Sequence, residues 1–169
     1  MNRAWVLFAS ILFATVVVST AAQVWVVGFD STGPVKIGMS LAELNAALHE
    51  KFVMPQDKEE QECFYVEQPK HPGVAFMIEE GHVTRVDVNR PGISTAEGIK
   101  VGDSEARAMR VYGNKLKIEP HYYTAPEGHY LTVLSDNQRY GIRFETDEGK
   151  IVSFYAGQKQ TIAYVEGCQ

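Results

Sequence analysis

Two cysteines, five histidines and a surplus of carboxylates are the reactive groups in this 169-residue chain, and their spacing decides what they offer. Cys63 and Cys168 lack the Cys-x-x-Cys spacing that tunes a thiolate for redox catalysis. An isolated pair in a small protein of an oxidising compartment most simply forms one disulfide, here pinning the C-terminus to the first half of the chain. His121 and His129, with Glu119 and Glu127 nearby, follow no spacing that fixes a metal-ligand geometry, so neither metal nor cofactor is expected. No serine sits in a Gly-x-Ser-x-Gly elbow, and no glycine-rich phosphate loop occurs. The carboxylates would serve a small hydrolase only if two of them shared a desolvated cleft, which sequence does not reveal. A net charge of -5 without a basic stripe argues against a nucleic-acid partner.

What remains is surface chemistry. Residues 73–88 align with 141–156, and in each block two alternating strands flank an acidic tip, Glu79-Glu80-Gly81 and Asp147-Glu148-Gly149, which reads as a hairpin turn with glycine at positive φ. Period-two alternation sends Val74, Phe76, Ile78, Val86 and Val88 to the core, together with Ile142, Phe144, Thr146, Phe154 and Ala156. The opposite face then carries Met77, Arg85 and Asp87 from the first block and Arg143, Glu145, Ser153 and Tyr155 from the second. Such a face is either solvated or a protein-binding platform, since Arg, Tyr and Met are enriched at interface cores. Tyr122, Tyr123, His129 and Tyr130 form a second candidate, either a recognition loop or aromatics packed beneath a loop.

The elements that position these residues follow from the rest of the chain. Residues 1–22 read as an export signal, with Arg3, an apolar run over 5–18 and Thr20-Ala21-Ala22 before Gln23; a retained anchor is the alternative. Val35-Lys36-Ile37-Gly38-Met39-Ser40 matches Ile99-Lys100-Val101-Gly102-Asp103-Ser104, and each stretch opens a helical pattern. In the first, Ser40 and Glu43 make a capping box before Leu41, Leu44 and Leu48. In the second, Arg107 replaces the box glutamate, Gly113 ends the pattern, and a shorter, smaller-faced helix is expected. Further strands are expected within 24–29, 63–66, 130–134 and 162–166, and a solvated loop at 56–62. The expected fold is α+β, two tandem helix-plus-antiparallel-sheet repeats over 23–92 and 93–169 that share one continuous sheet, because the connector 90–95 is short and not linker-like.

The stretch Ile37-Gly38-Met39-Ser40-x-x-Glu43 resembles the motif of small envelope lipoproteins of the outer-membrane assembly machinery. Its duplication resembles the β-lactamase inhibitory proteins, and the terminal Tyr164-Val165-Glu166-Gly167-Cys168 is similar to the end of certain exported bacterial proteins. The resemblance implies a helical pair on an antiparallel sheet and protein recognition instead of catalysis. No lipidated cysteine follows residues 20–22, and the second copy has Asp103 in place of Met39. The expected function is an exported, non-catalytic protein-binding module, periplasmic or secreted, that inhibits or sequesters another envelope or secreted protein. An assembly accessory of the envelope and a small hydrolase are the alternatives.

Overall fold

A short β-ladder opens the chain of the computed structural model, which describes residues 25–168; the expected export signal lies outside the described residues. In chain order the elements are β1 (Val26–Val27), β2 (Ser31–Thr32), β3 (Val35–Lys36), α1 (Leu41–Leu48), α2 (Lys58–Glu62), β4 (Cys63–Glu67), β5 (Val74–Glu79), β6 (His82–Val88), β7 (Ser94–Thr95), α3 (Glu105–Tyr112), β8 (Lys117–Pro120), β9 (His129–Leu134), β10 (Tyr140–Asp147) and β11 (Lys150–Gln158). They build a small sheet of order β3-β2-β1-β7 and a large one of order β4-β5-β6-β11-β10-β9-β8. No helix among the described residues is long and apolar enough to cross a membrane.

The expected α+β architecture of two helix-plus-sheet repeats on one continuous sheet is thereby corrected: the described residues are mostly β, with two sheets and short helices. The physical reason lies in its punctuation. Gly28, Gly33 and Pro34 break residues 26–36 into two-residue strands, and β1 then pairs parallel with the distant β7 to make a separate sheet. Helix α1 stops at His49, which takes a left-handed φ of 54°, and α3 stops at Gly113, so both are eight residues long and the second is not the shorter. The expected loop at 56–62 instead holds α2, because Asp57 accepts a 2.8 Å bond from the Glu59 amide and Glu59 and Glu60 suit the helix dipole. Residues 162–166 are not a strand; a 3-10 turn over Thr161–Ala163 leads into extended tail.

Each long helix starts on a hairpin. Ser40 accepts from the Glu43 amide while the Glu43 carboxylate accepts from the Ser40 amide, completing the capping box. Gly38 N donates to Val83 O at 2.7 Å and Leu41 N to Gly81 O at 3.1 Å; Gly102 N donates to Ile151 O at 2.8 Å and Glu105 N to Gly149 O at 3.0 Å. The first amide of each helix is thus satisfied by hairpin backbone. Ser104 caps the Arg107 amide, and the Arg107 side chain turns back to Asp103 at 3.2 Å.

Both hairpin turns have two central residues at positive φ, Glu80 (49°) with Gly81 (77°) and Glu148 (47°) with Gly149 (73°). This backbone strains a glutamate and suits asparagine. Glu148→Asn is expected to stabilise the fold by about 0.5 kcal/mol. The check is the urea unfolding midpoint, which should rise; a fall would contradict the turn geometry.

One core joins the two sheets and the helices. Phe76, Ile78, Ile142, Phe144 and Phe154 rise from the large sheet against Leu44 and Leu48 of α1, Ala108 and Tyr112 of α3, and Val27 and Val35 of the small sheet. The other face of the large sheet therefore points away from the helices.

Candidate functional site

Strand register brings together on that outer face the residues expected there. Asp87, Tyr155, Arg143 and Thr132 line up across β6, β11, β10 and β9, with Tyr65, Met77 and Arg85 in a neighbouring row and Ser153, Glu145 and Tyr130 in a third.

Part of the face is covered by the chain's own tail. Ile162 is buried over Gly141, where a Cβ would collide with it, and the Thr161 hydroxyl donates to Thr84 O at 3.2 Å. Tyr164 donates to Glu79 at 3.0 Å, and the Cys63–Cys168 disulfide fastens the end. Met77 is fully buried, and Arg85 and Tyr155 are each 4% exposed, so the accessible part of the face is Tyr65, Asp87, Arg143, Glu145 and Ser153.

Arg85 links the covered part to the accessible one. Its Nε and Nη2 grip Asp87 bidentately at 2.7 and 2.8 Å, Nη2 also donates to the Tyr65 hydroxyl at 2.5 Å, and Nη1 donates to Thr161 O at 2.9 Å. The guanidinium carbon lies 4.3 Å from the Tyr155 ring centroid. Burial pushes the Asp87 carboxyl above its usual range; Arg85 and the Tyr65 hydroxyl pull it down, and the Glu145 charge adds to the rise. Burial also pushes the hydroxyls of Tyr65 and Tyr155 well above the ordinary tyrosine value, so both stay protonated donors.

Glu145 organises the open part. It accepts from Ser153 Oγ at 2.9 Å and Tyr155 OH at 3.1 Å. Beside it, Arg143 donates to Thr132 at 3.0 Å, and its guanidinium lies 5.0 Å from the Tyr130 ring centroid.

The aromatic segment divides. After β8, His121 N donates to Gly128 O, Gly128 N to Thr124 O, and the Tyr123 and Thr124 amides donate to His121 Nδ1, so the turn is tied to itself through His121, Thr124 and Gly128. Those bonds place the imidazole proton on Nε2, which faces Glu145 at 4.0 Å. A Cβ on Gly128 would collide with Thr124 and with the Thr146 carbonyl, so glycine lets the turn close on β10. On this rigid turn Tyr122 and Tyr123 stand 73% and 58% exposed, edge to face at 4.8 Å. Tyr130 is buried beneath, against the His121 ring at 4.4 Å. His129 points to the other side of the sheet and binds Glu105 of α3 at 2.9 Å, where Thr146 also donates to Glu105.

Tyr65 and Thr161 are partners that sequence reasoning missed. Tyr65 was within reach of it, because two residues after Cys63 in a strand it shares the disulfide's face. Among the described residues no group of three or more His, Cys, Asp or Glu is placed to hold a metal. The arrangement offers aromatic contact on a fixed turn beside a charged, half-open cleft.

No protein-family model matches the chain, and no curated protein matches it. Among solved structures it is similar to an extracellular protein containing an SCP domain from Bacillus anthracis strain Ames, with 12% identity and a TM-score of 0.48. The likeness covers 75% of this chain, which spans 45% of that one. The assembly-lipoprotein and inhibitory-protein resemblance is not established by these comparisons.

Proposed function

We propose that the chain is an exported, non-catalytic protein-binding module that sequesters or inhibits another envelope or secreted protein. The observation that carries this reading is the Tyr122–Tyr123 pair, exposed on a turn whose backbone is locked by His121 and Gly128. Exposed aromatics usually lose side-chain freedom on binding; two tyrosines on a pre-ordered backbone lose less and supply large amphipathic contact area. The disulfide supports export, since such bonds persist in oxidising compartments. Arg143, Glu145 and Ser153 lie on the same side as the turn and would contribute polar contacts around it.

The test immobilises the oxidised chain and compares capture from native envelope and culture-fluid proteins with that of Tyr122→Ala/Tyr123→Ala. The double variant should weaken capture about thirtyfold, the effect of one hot spot of about 2 kcal/mol, while the thermal midpoint stays put. Equal capture by both proteins would refute the tyrosine pair as the binding site.

A further inference from the structure

Between the tail and the sheet lies a cleft of about 280 Å3, walled by Tyr65, Arg85, Asp87, Glu145, Ser153 and Tyr155 and closed on one side by residues 164–167. Its charge is unbalanced. Among the described residues of its walls Arg85 is the only basic one, and four donated bonds already engage that guanidinium with Asp87, Tyr65 and Thr161. Glu145 is held by two neutral hydroxyls, and among the described residues no Lys or Arg nitrogen lies within 4.0 Å of it; the His121 nitrogen at 4.0 Å is beyond hydrogen-bond reach.

These facts decide which ligand fits. An anion would meet the carboxylates of Asp87 and Glu145 and no free guanidinium edge. An apolar group would strip water from Glu145 and return no hydrogen bond, a cost of a buried charge left without a counter-ion. A cation would gain a charge-assisted bond to Glu145 and two tyrosine rings as walls.

The geometry points to this cleft as the receptor for one cationic side chain, a lysine or arginine carried by the bound partner, with Glu145 as its counter-ion. This rests on the protein-binding reading above and names its chemistry. It also agrees with the state of Asp87, whose carboxyl is pushed up by burial and by the Glu145 charge, a repulsion that an entering cation relieves. The cleft opens on the side of the sheet shared by the His121 turn, so a partner seated on Tyr122 and Tyr123 can reach it with one long side chain.

The experiment titrates the oxidised, isotope-labelled chain with Nα-acetyl-lysine amide and follows backbone amide shifts, with Nα-acetyl-norleucine amide and Nα-acetyl-glutamate amide as shape and charge controls. Saturable shifts at Ser153, Tyr155 and Gly167 with the lysine probe alone are expected. They should weaken at least tenfold in Glu145→Gln and recover to within a few-fold in Glu145→Asp, which restores the charge. Equal shifts with the norleucine probe, no saturable shift at the cleft, or an unaffected Glu145→Gln would each overturn the assignment. The two proposals fail separately: loss of capture in Tyr122→Ala/Tyr123→Ala with full capture by Glu145→Gln rejects the cleft and keeps the binding turn, whereas the reverse pattern keeps the cleft and rejects the turn.

Discussion

Cys63→Ser/Cys168→Ser is expected to lower the unfolding free energy by about 4 to 5 kcal/mol, because the bond closes a loop spanning 105 residues and removing it restores that entropy to the unfolded chain. For a domain of modest size this is a large share of all its stability, which is typically about 5 to 15 kcal/mol. The loss also has a location. Gly167 packs against the Tyr65 hydroxyl, and Tyr164 and the Thr161–Ala163 turn also anchor the tail. Urea unfolding gives the magnitude, and hydrogen exchange gives the place: residues 164–168 should lose protection while β5, β6, β10 and β11 keep it in the folded state. A destabilisation below about 1 kcal/mol would mean that native strain or residual unfolded structure cancels the loop term.

The second large effect is expected at Arg85. Arg85→Ala removes the bidentate partner of Asp87 and the donor to Thr161 O, leaving a partly buried carboxylate without its counter-ion. Breaking a buried pair costs about 3 to 5 kcal/mol, and the 26% exposure of the Asp87 side chain places this case at the lower end. Replacing both, as Arg85→Met/Asp87→Leu, should return most of the loss, because the cost comes from the orphaned charge.

The pH dependence follows in sign. The Asp87 carboxyl sits above its usual range in the folded chain, so the folded state holds this proton more tightly than the unfolded one. Its contribution to stability is therefore full below the ordinary carboxylate value and is lost as pH rises through the raised one. Without Arg85 the rise is larger, so the Arg85→Ala penalty should be greatest near neutral pH and shrink on acidification as Asp87 takes up its proton. A penalty that grows with falling pH would contradict the assignment of Asp87 as the orphaned group.

Local signals were legible in this sequence and non-local ones were not. The Ser40–Glu43 capping box and the two hairpins could be read because their bonding partners lie within a few residues. The disulfide was legible from cysteine count and the expected compartment. The small sheet was not, because two-residue strands carry no periodicity and β1 finds its partner β7 far along the chain. Nor does anything in residues 161–167 announce that they fold across Arg85 and Tyr65, although Cys168 pairing with Cys63 brings the chain end to that edge. The aromatic segment shows a finer limit. His129 and Tyr130 are neighbours in one strand and so must face opposite sides, which separates His129 from the tyrosines it was grouped with. The exposure of Tyr122 and Tyr123 depends on the His121–Gly128 closure, a side chain to backbone pattern with no simple sequence signature.

The central claim is that a partner seats on Tyr122 and Tyr123, and site-specific photo-crosslinking tests it most directly. A benzophenone amino acid placed at position 122 is compared, in the native envelope, with the same probe at Val111, which is exposed on α3 away from this face. The binding account predicts a discrete, saturable protein adduct from position 122 that is absent from position 111. No adduct at 122, or the same adducts from both positions, would contradict it.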